Sequence, residues 1–334
     1  MSPPEIKYCP GTLAEGYQTY SSTCLRRLFN GKKVNHILPY TSAEYSEEDA
    51  QKFIENRKRI SISGVQEKLS MLLEKNKLRL TREGEQGTYL LKPVPQDIRK
   101  KEQVPANEHL TMQIARQVYK IATAENALIF LKSGEPAYIT KRFDVKAEGG
   151  KFAKEDFASL ANKTKDTAGS DFKYSGSYEE LAAIIRQFVP AYRVEMEKYF
   201  SIVIFNYLFS NGDAHLKNFS LLESKNGDYL LSPAYDLINT RIHVDDTEFA
   251  LDKGLFADDY KSDNYALINH PTKNDFIEFA GRIGILENRI SKIMGPFLEK
   301  QEKVYKLTDH SFLDNATRRA YELHYETRLN YLNR

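Results

Sequence analysis

Apolar and polar positions change period twice along the chain, and the changes mark out its parts. The first forty residues are rich in Gly, Pro, Ser and Thr, and predict one short helix among turns. Ser46 to Arg57 reads as helical, because SEEDAQKFIENR opens on a cap-like serine followed by acids that suit a helix N-terminus. Alternation then takes over. Residues 68–74 and 78–80 flank the turn-like Lys75-Asn76-Lys77, as in a hairpin, and 88–92 is a further strand stopped by Pro93 and Pro95. Leu110, Ile114 and Val118 recur four apart and predict a helix over 106–118. Short strands at 127–130 and 137–143 complete a β-rich part.

After Asp144 the period becomes helical, over about 178–188, 193–209, 273–282, 286–304 and 311–331, around one strand pair near 219–232. The expectation is a bilobal α+β chain, with a β-rich lobe over 1–143 and a helical lobe over 144–334. A cleft between two lobes is the default place for a ligand.

Composition narrows the classes. The 334 residues hold 48 Lys+Arg against 46 Asp+Glu, a net charge of +2, which excludes a polybasic nucleic-acid tail and an acidic disordered chain as the main identity. With no basic helix-turn-helix in view, DNA contact is expected only through a partner. Hydrophobic residues make up 41%, with 21 Tyr and 18 Phe, enough for a packed interior. Two cysteines, Cys9 and Cys24, make neither a disulfide framework nor a zinc pair, and are expected as reduced thiols. The opening MSPPEIKYCPG lacks the form of a signal peptide. The longest apolar run, Phe200–Phe209, is about half the ~18 residues of a membrane span. A cytoplasmic protein without a membrane segment is the expectation.

The segment Asn211-Gly212-Asp213-Ala214-His215-Leu216-Lys217-Asn218 carries the chemistry. It follows a nearly all-apolar helix and gathers a carboxylate, an imidazole, an ammonium and two amides on one loop. A second acid, Asp236, comes eighteen residues after Asn218, beyond a strand-like Tyr229-Leu230-Leu231. Asp, Asn five residues on, a hairpin and then Asp is the order of a protein-kinase-type site. In that reading Asp213 takes the proton of an attacking hydroxyl, while Asn218 and Asp236 offer oxygen ligands to Mg²⁺. Lys217 would offset charge on the transferred group. Two other readings stand beside it: a hydrogen-bonded loop with a capping Asp213, and a transition-metal site of Asp213, His215 and Asp236.

The β-rich part has neither a GxxxxGK[ST] loop nor a GxGxxG. Ser61-Ile62-Ser63-Gly64-Val65-Gln66-Glu67-Lys68 is either an ordinary turn or a shallow phosphate nest. Lys92 ends an apolar strand, either at the surface or directed at phosphates, with Glu108 placed to hold it.

Taken together, SxSGVQEKLS, YLLKP, KRFD, NGDAHLKNFSLL and PAYDL resemble the HipA-type serine/threonine kinases of bacterial toxin–antitoxin modules, from about residue 60 to about 240. The resemblance implies a protein-kinase-like bilobal fold with ATP and Mg²⁺ as cofactors. Asp213 would be the catalytic base, with Asn218 and Asp236 on magnesium. ATP contacts would come from Ser63, Gly64, Val65, Gln66, Glu67, Lys68, Lys92, Lys141, Arg142, Phe143, His215, Lys217 and Tyr235. It implies autophosphorylation at Ser61 and Ser63, and an activation-loop region from Lys154 to Tyr174. With only segment 1–60 ahead of the phosphate loop, the chain resembles the shorter HipT-type branch. There a small HipS-like protein stands in for a missing subdomain and a HipB-like protein binds DNA. The implied substrate is a translation component, an aminoacyl-tRNA synthetase. A small-molecule kinase and a non-catalytic regulatory pseudokinase remain the alternatives.

Overall fold

A computed structural model describes residues 6–40, 68–96 and 98–334. The helix expected over Ser46–Arg57 lies outside the described residues. Two compact units emerge: one of described residues up to 113, with 124–150 and 306–318, and one of 114–123, 151–305 and 319–334.

The first unit contains α1 (Ser22–Phe29), β1 (Leu69–Glu74), β2 (Lys77–Leu80), β3 (Tyr89–Lys92), the N-terminal part of α2 (Val104–Gln117), β4 (Asn126–Phe130) and β5 (Pro136–Lys141). Its strands form one sheet in the order β2-β1-β3-β5-β4, each neighbour antiparallel. The registers Leu69↔Leu91, Leu91↔Ile139 and Ile139↔Ala127 line apolar side chains across four strands on one face. Those residues pack with Leu28 and Phe29 of α1 into one core. Ser21 caps α1 by accepting from Cys24 N–H, and Asn30 ends it in the left-handed region. The turn-rich N-terminus covers the edge strand: Leu128 N–H donates to Pro10 O and Phe130 N–H to His36 O, both at 2.8 Å. β4 is consequently buried along its whole length.

The second unit holds β6 (Lys154–Asp156), the short helices α3 (Phe157–Leu160) and α4 (Lys165–Ala168), then α5 (Tyr178–Phe188) and α6 (Tyr192–Leu208). The hairpin β7 (Ser220–Glu223) and β8 (Tyr229–Leu231) follows, then α7 (Asp263–Ile268), α8 (Lys273–Arg282), α9 (Glu287–Leu298) and parts of α10 (Glu302–Asp309) and α11 (Asn315–Leu332). α6 is apolar around most of its circumference, and a helix of that kind is core rather than surface. Phe205 stacks on Phe209 at 4.5 Å and Tyr325 stacks on Phe209 at 5.2 Å. Glu195, 2% exposed, accepts from Leu231 N–H at 3.2 Å and from Lys198 Nζ at 2.7 Å, which ties α6 to the hairpin.

Two departures from the sequence pattern have a physical cause visible in the packing. The single helix expected over 286–304 is broken into α9 and α10, because Pro296 cannot donate in the α9 ladder and α9 stops two residues later. Gln301 N–H instead meets the Tyr325 hydroxyl at 3.1 Å. β6, charged and without alternation, is a strand because it pairs with β7. Phe205 is fully buried, so Phe205→Ala is expected to cost about 3–5 kcal/mol of unfolding free energy. Urea denaturation checks this; a loss under about 1 kcal/mol would contradict the packing described.

Candidate functional site

The end of α6 positions the polar loop. The chain leaves the helix through Ser210, whose φ of 52° turns it sharply. Asn211 N–H returns to Asn206 O at 2.8 Å, its Nδ2 donates to Asn206 Oδ1 at 2.9 Å, and its Oδ1 accepts from Asp213 N–H at 3.3 Å. The loop is then held by hydroxyls from distant elements. Gly212 N–H donates to Thr240 Oγ1 at 2.8 Å. The Tyr178 hydroxyl donates to Ala214 O and the Tyr235 hydroxyl to Lys217 O, both at 2.9 Å. Thr240 Oγ1 also touches Asp246 Oδ2, and burial, with a smaller push from nearby Asp213, raises the Asp246 carboxyl above its ordinary value.

Gly212 has a steric reason. A Cβ there would lie 2.4 Å from Asp246 Oδ2 and 2.6 Å from Thr247 O. The backbone of the loop therefore packs against residues 246–247 at a distance only glycine permits.

The chemistry-bearing side chains of this unit come together. Asn218 Oδ1 accepts from His215 N–H at 3.2 Å, and its Nδ2 reaches Asp236 Oδ2 at 3.4 Å. Asp236 sits at φ 55°, a left-handed conformation that carboxylate residues tolerate and that aims its side chain back at the loop. Asp213 Oδ1 accepts from the Tyr174 hydroxyl at 2.8 Å. Tyr174 also meets the His215 ring edge-on, with centroids 5.3 Å apart. His215 is buried, and desolvation lowers its pKa despite the opposing pull of Asp213. Lys217 is half-buried over the Phe172 ring at 5.9 Å. Tyr235 is committed through its hydroxyl to Lys217 O and to Ser220 Oγ at 2.5 Å.

In the first unit, Lys92 and Glu108 form a buried ion pair, with Nζ 2.6 Å from Oε1 and both side chains 4% exposed. Buried charges of this kind persist only when paired. The Lys92 ammonium also lies 5.2 Å from the ring of its cross-strand partner Tyr138. Lys141 Nζ donates to Asn30 Oδ1 at 2.7 Å, and burial lowers its pKa. Arg142 forks onto Asp144 at 3.0 and 2.5 Å, Phe143 is half-buried, and Lys68 directly precedes β1. Ser61, Ser63, Gly64, Val65, Gln66 and Glu67 lie outside the described residues.

Asn218 and Asp236 suit a hard cation. Both supply oxygen, and Mg²⁺ leaves the rest of its shell to phosphate and water. Among the described residues, no three His, Cys, Asp or Glu side chains form a metal-binding group, which leaves the transition-metal reading of Asp213, His215 and Asp236 without support. Tyr174 and the Thr240–Asp246 pair escaped sequence reasoning. The only signal was their position, one at the end of the 154–174 stretch and the other in an acidic run.

Comparisons with known proteins agree in one direction. Residues 60–305 match the family model described as the HipA-like C-terminal domain. A Haemophilus influenzae protein named "Putative kinase" is 27% identical over 90% of this chain and 88% of its own length. Y4dM of Sinorhizobium fredii, under the same description, is 31% identical over 61% of this chain and 51% of itself. Among solved structures, HipA of Shewanella oneidensis, in complex with HipB and operator DNA, superposes with a TM-score of 0.59 at 18% identity, covering 81% of this chain. This chain spans 63% of that one. The Helicobacter pylori proinflammatory kinase CtkA gives 0.51 at 17% identity, covering 78% of this chain and 93% of its own. At such identities the likeness is one of fold.

The tight seat of Gly212 is testable. Gly212→Ala is expected to lower stability by about 1–3 kcal/mol through overpacking against Thr247 O. An unchanged denaturation midpoint would show that the loop is not held as described.

Proposed function

The chain belongs to the HipA-like C-terminal domain family, and from that premise we propose that it is an ATP- and Mg²⁺-dependent serine/threonine protein kinase acting as the toxin of a toxin–antitoxin module. The observation that carries the proposal is the loop at the end of α6, where Asp213 is held by Tyr174 and Asn218, five residues on, reaches Asp236. Asp213 accepts the proton of the acceptor hydroxyl. Asn218 and Asp236 hold magnesium, which when bound supplies charge neutralisation on the phosphates. Lys217 offsets charge on the transferred group, and Lys92, held by Glu108, is assigned to the phosphates. Ser63 to Lys68, Lys141 to Phe143, His215 and Tyr235 are assigned to the nucleotide.

The target is proposed to be a component of translation, an aminoacyl-tRNA synthetase, and the site of action the cytoplasm. No helix among the described residues is long and apolar enough to cross a membrane. A HipB-like DNA-binding protein and a small HipS-like protein are the proposed partners, the first by analogy with the Shewanella complex. Autophosphorylation at Ser61 or Ser63 would place a charge of about −1.5 to −2 where ATP phosphates belong, and so act as an off-switch.

Intact-mass spectrometry before and after Mg²⁺-ATP tests the reading. Wild type is expected to gain one or two phosphates at Ser61 or Ser63, and Asp213→Gln to be slower by roughly 10²- to 10⁴-fold while still binding ATP. Transfer by Asp213→Gln at the wild-type rate would remove the base assignment. No gain from unphosphorylated wild type would favour a small-molecule kinase or a pseudokinase.

A further inference from the structure

The Tyr174 hydroxyl donates to Asp213 Oδ1 at 2.8 Å, the kind of bond an acceptor hydroxyl must also make to the base. A tyrosine in this position either blocks the base or orients it, and the anchoring of its segment decides between the two. Tyr174 closes a 3₁₀ turn that begins at Phe172. Its carbonyl accepts from Asp252 N–H at 2.9 Å, and Lys253 N–H donates to Gly176 O at 3.2 Å. Gly176 N–H donates to Asp252 Oδ1 at 2.7 Å. Ser177 then opens α5 with a capping box to Glu180. The ring is seated edge-on against His215. A removable plug would hang on a segment with few bonds, whereas this one is tied from Tyr174 through Ser177 to residues 252–253 and to α5 within a single unit. Burial and the neighbouring carboxylate raise the phenol pKa, so the hydroxyl stays a donor at neutral pH.

We propose that Tyr174 is a positioning residue for phosphoryl transfer, holding Asp213 by Oδ1 so that Oδ2 faces the acceptor hydroxyl. The inference rests on the kinase reading above. In the step it serves, the acceptor oxygen bonds to the γ-phosphorus, the bond to the ADP oxygen breaks, and the acceptor proton passes to Asp213. Misplacing a reacting carboxylate by about 1 Å costs roughly 100-fold, so the tether should be read in turnover and not in ATP affinity.

The test is ADP release by the full chain over a range of Mg²⁺-ATP concentrations, which counts transfer to any acceptor, water included. Tyr174→Phe keeps the ring and removes the bond. The expected result is a kcat lower by roughly 10- to 100-fold, with KM for ATP and melting temperature unchanged. A raised kcat would mean that the tyrosine blocks the base, and an unchanged kcat that it is idle; either overturns the proposal. A lowered melting temperature with raised KM would make the role structural and overturn it too. Asp213→Gln run in parallel separates the two claims. Turnover at the wild-type rate in that variant removes the base assignment and the positioning role with it, and none in wild type sinks the kinase reading itself, whereas its loss beside an unaffected Tyr174→Phe sinks only the positioning role.

Discussion

The candidate site depends on a single constraint: a buried apolar helix runs straight into a polar loop whose backbone groups must all find partners. α6 supplies a rigid base, and Asn206 near its end answers two groups of Asn211. Beyond that the loop is satisfied from far along the chain, by the hydroxyls of Thr240, Tyr178 and Tyr235 on Gly212, Ala214 and Lys217. Each tether fixes a backbone atom, so the side chains between them keep fixed directions. These bonds fix the loop around Asp213, and the short 3₁₀ turn that ends it ties His215 N–H to Asn218 Oδ1.

Much of this was legible in the sequence, and for physical reasons. The apolar run Phe200–Phe209 announces a core helix, and the abrupt change to Asn211-Gly212-Asp213 announces a loop on a platform. The hairpin after Asn218 was expected as one strand pair near 219–232, with Tyr229-Leu230-Leu231 as its second strand. Lys92 and Glu108 were readable as a pair because an apolar strand ending in lysine must do something with the charge. What stayed hidden is what only tertiary structure creates. Thr240 and Asp246 stand well beyond the loop they hold. Tyr174 reaches Asp213 across thirty-nine residues. β6 lacks any strand pattern and is made one by β7. Pro296 was visible, but its consequence, two helices in place of one, depends on where the ladder yields.

The two units answer the problem of charge differently. In the first, Lys92 and Glu108 are almost fully buried and neutralise each other, so either alone would be a costly buried charge. In the second, Asp213, Lys217, Asn218 and Asp236 remain half-buried. Half-buried oxygen donors can still be reached by a cation that keeps part of its shell for phosphate and water.

The central claim, that Asn218 and Asp236 hold the metal through which ATP is bound, is tested most directly by calorimetric titration of ATP with and without Mg²⁺, on wild type and Asp236→Asn. The account predicts binding that Mg²⁺ strengthens in wild type, and about a tenfold or larger loss of that Mg²⁺-dependent affinity in the variant. Equal affinity in both proteins, or wild-type binding indifferent to Mg²⁺, would contradict it.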